Sequence, residues 1–177
     1  MKKNFLILFG VIIFNLICAQ TAVKIDSLGL NNLYKIDEGV YRSEQPQVQH
    51  FKALERLGIT ETLNLRHYHS DERKAKGTNL MLHRLRMDAH KIHDQDVIAA
   101  LKIIKNRNGS ILIHCRHGSD RTGVIVAMYR IVFQNWSKEA AMEEMQSDKF
   151  GFHQIYKNIP TYIKNVDVGY IRKEVEK

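Results

Sequence analysis

The sequence predicts a single α/β domain with a mostly parallel central sheet flanked by helices. Three observations carry that expectation. Segments with strand periodicity alternate with segments of helical periodicity along the chain. A length of 177 residues suits one domain and is enough to bury a core without metal or disulfide staples. A short apolar run, Ile111 to His114, leads through a polar loop into an almost uniformly apolar segment from Thr122 to Asn135.

The elements follow in order. Leu33 to Ile36 and Val40 to Arg42 read as two short strands around the turn Asp37-Glu38-Gly39. Gln47 to Leu57 is helical, with Val48, Phe51 and Leu54 on one face, and Gly58 stops it. Ile59 to Leu65 is a strand. Arg66 to Asn79 is a polar loop with a helical turn, and Leu80 to Met87 is a further strand. Asp94 to Asn106 is an amphipathic helix carrying Val97, Leu101 and Ile104 at i, i+4, i+7, with Asp94 as its expected cap. Asn108-Gly109 turns the chain into the strand Ile111 to His114. After the buried helix, Ser137 caps a helix over Lys138 to Gln146, and a final helix runs from Pro160 to Val175. Ligands of such sheets sit beyond the carboxyl ends of the strands, so the segment after Ile113 falls at the functional edge.

Composition narrows the function classes. Hydrophobic residues at 44% and charged residues at 26% exclude wholesale disorder and collagen-like architecture. Lys and Arg number 27 against 19 Asp and Glu, a net charge of +8 that favours anionic partners. No dense basic run with interleaved aromatics occurs, so nucleic acid is not an expected partner. Residues 1–19 read as a signal peptide. Lys2 and Lys3 precede an apolar run from Phe5 to Cys18 that is short of the roughly 20 residues needed to span a bilayer. An uncleaved anchor is one alternative, and lipidation at Cys18 another, although Ile17 is not the small residue that lipidation favours. Cleavage after Ala19 leaves no stable membrane span, removes two positive charges and makes Cys115 the one remaining cysteine. A lone thiol in an oxidising compartment is a liability unless it is buried or used.

Its neighbours point to use. The segment His114-Cys115-Arg116-His117-Gly118-Ser119-Asp120-Arg121-Thr122-Gly123 runs from strand to loop to helix. Five residues between Cys115 and Arg121 can curl with their N–H groups inward, making a concave anion site closed by a helix N-terminus. Arg116, His117, Gly118, Ser119 and Asp120 then form the substrate-binding cradle, and Gly118 permits close backbone approach. Arg121 offers a planar fork for two phosphate oxygens. The amides and the helix dipole favour the thiolate of Cys115, which is the nucleophile. Thr122 is placed to donate a hydrogen bond to that sulfur, and His114 to hold the loop from behind.

This motif resembles that of the cysteine-dependent protein tyrosine phosphatase superfamily, His-Cys-(five residues)-Arg-Ser/Thr, matched at His114, Cys115, Arg121 and Thr122. Val40-Tyr41-Arg42-Ser43-Glu44-Gln45-Pro46, Leu57-Gly58-Ile59 and Asn64-Leu65-Arg66 are similar to the opening of small dual-specificity-type bacterial enzymes, extending the resemblance over most of residues 20–177. It implies a phosphatase domain there, a phosphocysteine intermediate, no cofactor, and a phosphorylated protein or small phosphoester as substrate. With the signal peptide, it implies export, to the periplasm or the medium if the source is bacterial. Arg42 and Arg66 are either supports of the loop or ordinary structural arginines. Oligomeric state is left open.

The resemblance also implies a general acid on a separate upstream loop. Asp88, after the strand ending at Met87 and 27 residues before Cys115, has that position. Asp120 is its rival. Asp120-Arg121-Thr122 resembles the loops of myotubularin-like and Sac-type phosphoinositide phosphatases, which brings inositol phosphates and phosphoinositides in as alternative substrates. The blander expectation for Asp120 is a side chain turned away from the cradle. A rhodanese-like sulfurtransferase fits less well, its usual loop being one residue shorter, and a non-catalytic phosphate-binding module is the remaining alternative. His67-Tyr68-His69 with Asp71 and Glu72 has donor atoms for a metal, but no metal is expected there; these residues suit a pocket entrance. His90 and His93 lie near Asp88 in sequence. Met128, Tyr129 and Phe133 are expected in the core, and Trp136 at a helix joint.

Overall fold

The computed structural model describes residues 21–177. The expected signal peptide, residues 1–19, lies outside them. The described chain forms a six-stranded sheet with helices on both faces. In chain order the strands are β1 (Val23–Lys24), β2 (Tyr34–Asp37), β3 (Val40–Ser43), β4 (Ile59–Arg66), β5 (Met81–Met87) and β6 (Ser110–His114). The helices are α1 (Val48–Arg56), α2 (Asp94–Lys105), α3 (Asp120–Phe133), α4 (Lys138–Gln146), α5 (Asn158–Asn165) and α6 (Val168–Glu176). The strand order is β1-β2-β3-β6-β4-β5. β3, β6, β4 and β5 run parallel, and β1 and β2 add an antiparallel edge. The mostly parallel sheet is therefore as expected.

β6 sits in the interior of the sheet because every residue from Ile111 to His114 is buried, as a parallel strand covered on both faces requires. Ile111 and Ile113 pack into the larger core with α2 and α3, and Leu112 faces Phe51 and Leu54 of α1 on the other side. α3 is buried from Thr122 to Val132, which explains its continuous apolar sequence. Tyr129 and Met128 lie in that core, with Phe133 packed against it.

Two details differ from expectation. The single final helix is two helices, broken at Val166–Asp167. Asp167 accepts a hydrogen bond from the Tyr170 N–H and restarts the helix as its cap. Asp94 is the first residue of α2 rather than its cap, and its carboxylate takes the Tyr162 hydroxyl at 2.8 Å, tying α2 to α5. β1 and a 3-10 turn at Asp148–Phe150 had no signal in the periodicity. No described helix is long and apolar enough to cross a membrane.

One buried cation fixes the joint between α3 and α4. Arg130 is fully buried, with Nε and Nη2 on the two oxygens of Glu144 at 3.0 and 2.8 Å, Nη1 on the Ile36 carbonyl, and its guanidinium 4.4 Å from the Trp136 ring. Trp136 thus packs at the helix joint. Glu144→Ala strands this charge in the core and is expected to cost about 3–5 kcal/mol, read as a lower urea midpoint at pH 7. A loss below about 1 kcal/mol would show that water reaches Arg130.

Candidate active site

The parallel arrangement brings four strand ends to one edge. β3 ends at Ser43, β4 at Arg66, β5 at Met87 and β6 at His114. The segments that follow, Glu44-Gln45, His67 to His69, Asp88 to His90 and the Cys115–Arg121 loop, therefore gather at that edge.

The loop is held from outside by its carbonyls. Gln45 N–H donates to the Arg116 carbonyl at 3.1 Å, Asn32 Nδ2 to that of His117 at 2.9 Å, and Arg42 Nη2 to that of Gly118 at 2.5 Å. Asn32 also bonds the Phe150 carbonyl, and the Arg42 guanidinium lies 3.9 Å over the Phe150 ring. Arg42 is fully buried. Burial pulls its pKa down to about 10, leaving it charged at neutral pH. Among the described residues, nothing accepts from the N–H groups of Arg116, His117, Gly118 or Ser119. With each carbonyl turned outward, these amides are free for an anion. Gly118 is required twice over. Its φ is +74°, and a Cβ there would meet the Ser43 carbonyl at 2.5 Å.

Behind the loop, His114 is fully buried and its Nε2 lies 2.7 Å from Asp71 Oδ2. Because a carboxylate only accepts, that nitrogen carries the proton. Gln45 Nε2 donates to Asp71 Oδ1 at 2.8 Å, and Arg66 Nη1 donates to Gln45 Oε1 at 3.1 Å. Burial alone would raise the Asp71 pKa, but the hydrogen bond and charge of His114 outweigh it and hold the group below its ordinary value. The helical turn expected in the polar loop is present, with Lys74 and Ala75 N–H on the Asp71 carbonyl.

In front lies a cavity of about 350 Å³. Arg66, Arg116 and Arg121 supply its positive wall, and Asp88 is the one carboxylate that lines it. His67, Tyr68, His69, His90 and Tyr156 complete its rim. The Arg66 charge pulls the His69 pKa down, and burial followed by the Arg116 charge does the same for His117. Arg121 is half-buried, with Nη1 3.5 Å from the Met87 carbonyl, the residue before Asp88. Asp88 is exposed and accepts the His90 N–H at 2.9 Å, which fixes the turn it stands on. Cys115 is 1% exposed at the head of the loop.

The remaining expected residues divide. Ser119 is buried, and its Oγ lies 3.4 Å from Asn32 Nδ2. Asp120 is buried too, but its carboxylate is taken by His153 rather than lining the cavity. The Thr122 hydroxyl is buried with no hydrogen-bond partner, so the expected bond to the sulfur is not made. His67 and His69 line the entrance, while Asp71 turns inward to His114 and Glu72 meets Ser70. His93 does not line the cavity. Asn32, Gln45, Asp71 and Tyr156 were not singled out for these roles in the sequence.

Comparison with known proteins agrees with this geometry. Residues 28–177 match the family model described as tyrosine phosphatase family. The dual specificity protein phosphatase TpbA of Pseudomonas aeruginosa is 35% identical over 144 residues, covering 80% of this chain and 65% of that protein. An inositol diphosphatase of Arabidopsis thaliana is 29% identical over 127 residues, covering 67% of this chain and 62% of that protein. The chain thus spans just under two thirds of the length of these curated relatives. The crystal structure of P. aeruginosa TpbA superposes with a TM-score of 0.79 at 32% identity, over 88% of this chain and 96% of that one. A complex of a cysteine-to-serine variant of that enzyme with phosphotyrosine gives 0.78 at 31%, over 88% and 96%. The catalytic core of a PP-IP phosphatase from S. cerevisiae gives 0.71 at 27%, over 83% and 92%. The cradle, the strand edge that presents it and the match over residues 28–177 agree: the chain belongs to the tyrosine phosphatase family.

Proposed function

We propose that the protein is a cysteine-dependent phosphomonoester hydrolase of the tyrosine or dual-specificity type. The observation that carries this reading is the run of unpaired amides from Arg116 to Ser119, set between the buried Cys115 and Arg121, with Arg116 and Arg121 lining the cavity. A phosphoryl group entering the cavity meets Arg121 and these amides. They are fixed before it arrives and stabilise the charge that builds on its equatorial oxygens. The Cys115 thiolate attacks phosphorus in line. The phosphorus–oxygen ester bond breaks as the phosphorus–sulfur bond forms, and Asp88 gives its proton to the leaving oxygen. The Asp88 carboxylate then takes a proton from water, whose oxygen displaces sulfur and releases phosphate and the thiolate. Asp120 is less well placed for that role because its carboxylate is directed to His153 and does not line the cavity.

A second reading deepens the first. Three guanidinium groups face one carboxylate in the cavity, an excess suited to a substrate with more than one phosphate. Relatives named as inositol diphosphatases accord with an inositol phosphate substrate. The basic start and short apolar run of residues 1–19 support export of the domain.

Cys115→Ser is expected to abolish hydrolysis of an aryl phosphate while keeping phosphate binding. Wild-type turnover in that variant would overturn the mechanism, and binding without turnover in the wild type would make this a binding module. Asp88→Asn should lower kcat by about 10²–10⁴ for alkyl phosphates with poor leaving groups and far less for activated aryl phosphates. Equal loss on both would remove Asp88 as the acid. Competitive turnover of phosphotyrosine peptide, phosphoserine peptide and inositol polyphosphate separates the two substrate readings.

Asp71→Asn leaves one of two donors, His114 or Gln45, without an acceptor. It should cost about 1–3 kcal/mol at pH 7 and slow turnover by loosening the loop. The depressed Asp71 pKa contributes stability above the ordinary carboxylate range, lost as pH falls through the folded value. The gap between wild type and variant in urea titrations should therefore narrow on acidification below about pH 4. A gap that widens there would contradict the assignment.

A further inference from the structure

We propose that His117, Asp120 and His153 form a binding site for one divalent transition-metal ion of the zinc class. One ligand atom from each of these residues lies within 4.8 Å of the other two, and this is the one such trio among the described residues. His153 Nδ1 stands 3.0 and 2.9 Å from the two Asp120 oxygens, and the His117 and His153 rings are 5.1 Å apart. No lysine or arginine among the described residues pairs with Asp120. Its carboxylate is buried, while the imidazoles beside it are exposed.

The chemistry suits a borderline metal. Two imidazole nitrogens and one carboxylate oxygen match zinc's preferred donors and leave a fourth position for water. Calcium and magnesium favour oxygen-only shells. Tetrahedral ligands about 2.0–2.1 Å from a metal lie about 3.4 Å apart, so the trio must contract. Asp120 is buried and both imidazoles are exposed, so the contraction falls to the imidazoles. The His153 N–H already donates to Asp120 Oδ1 at 3.0 Å, a bond that holds the carboxylate in place as metal ligands commonly require.

The placement gives the ion a role. His117 and Asp120 flank Gly118 and Ser119 in the loop, and His153 belongs to the segment that carries Tyr156 into the cavity wall. A bound ion joins the cradle to that wall. The site uses no group assigned to phosphoryl transfer, so it stands whether or not the proposed hydrolysis does.

The test is calorimetric titration of zinc chloride, in phosphate-free buffer, into the full chain carrying Cys18→Ser and Cys115→Ser, which removes both competing thiols. One ion per chain is expected, weakened at least tenfold by His117→Ala and by His153→Ala and unchanged by His67→Ala with His69→Ala. Cobalt(II) at the same site should give the intense visible bands of four-coordinate metal. His117 is exposed, so its variant is a folding-neutral check on His153→Ala. Absence of one-to-one binding, binding that survives loss of both imidazoles, or binding lost with His67 and His69 would each overturn the proposal.

Discussion

The loop depends on turning three successive carbonyls outward. Left to itself, a short connection between a strand and a helix would pair its N–H and C=O groups locally. Here Gln45, Asn32 and Arg42 take the carbonyls of Arg116, His117 and Gly118 from two other parts of the chain, the end of β3 and the turn before β2. Each N–H follows its peptide plane to the opposite side. The anion site is therefore made by what binds the back of the loop as much as by the loop's own residues.

That device requires buried charge. Arg42 and the His114–Asp71 pair are all removed from water, and such burial is costly unless every partner is in place. Arg42 offsets part of this cost with the Gly118 carbonyl and the Phe150 ring, while its Nε and Nη1 have no hydrogen-bond partner among the described residues. Asp71 meets it with two donors, one on each oxygen. The partners come from β3, the polar loop after β4 and the turn after α4. Those segments must fold before the cradle has its shape. The helices supply burial, and the polar links from these scattered segments supply the shape.

What the sequence disclosed follows from this division. Cys115 to Arg121 is contiguous, and the periodicity of β6 and α3 is strong, so the strand, loop and helix were legible without coordinates. The mostly parallel sheet followed from alternation of elements. The supports were not legible. Asp71 stands among charged residues of a polar loop, where nothing distinguishes the one that turns inward. Asn32 reaches the loop across 85 residues, from a backbone at φ +56° that composition does not announce. The break at Asp167 was hidden because apolar spacing continues across it, and the capping side chain outweighs that periodicity. The hydrogen bond that the motif leads one to expect from Thr122 is not formed, its hydroxyl being buried on α3 with no partner.

The charge pattern around the cavity follows from the sheet order. Arg66 ends β4 and Met87 ends β5. Because β4 lies between β5 and β6, Asp88 stands across the cavity from the loop rather than inside it. A carboxylate placed within the cradle would repel the anion that the amides are set to receive. Placed on the cavity wall instead, it leaves the loop side of the cavity to Arg66, Arg116 and Arg121. The acid inside the loop, Asp120, avoids the same conflict by turning its carboxylate to His153 while its backbone starts α3. The same separation of negative charge from the cradle thus accounts for where both acidic side chains point.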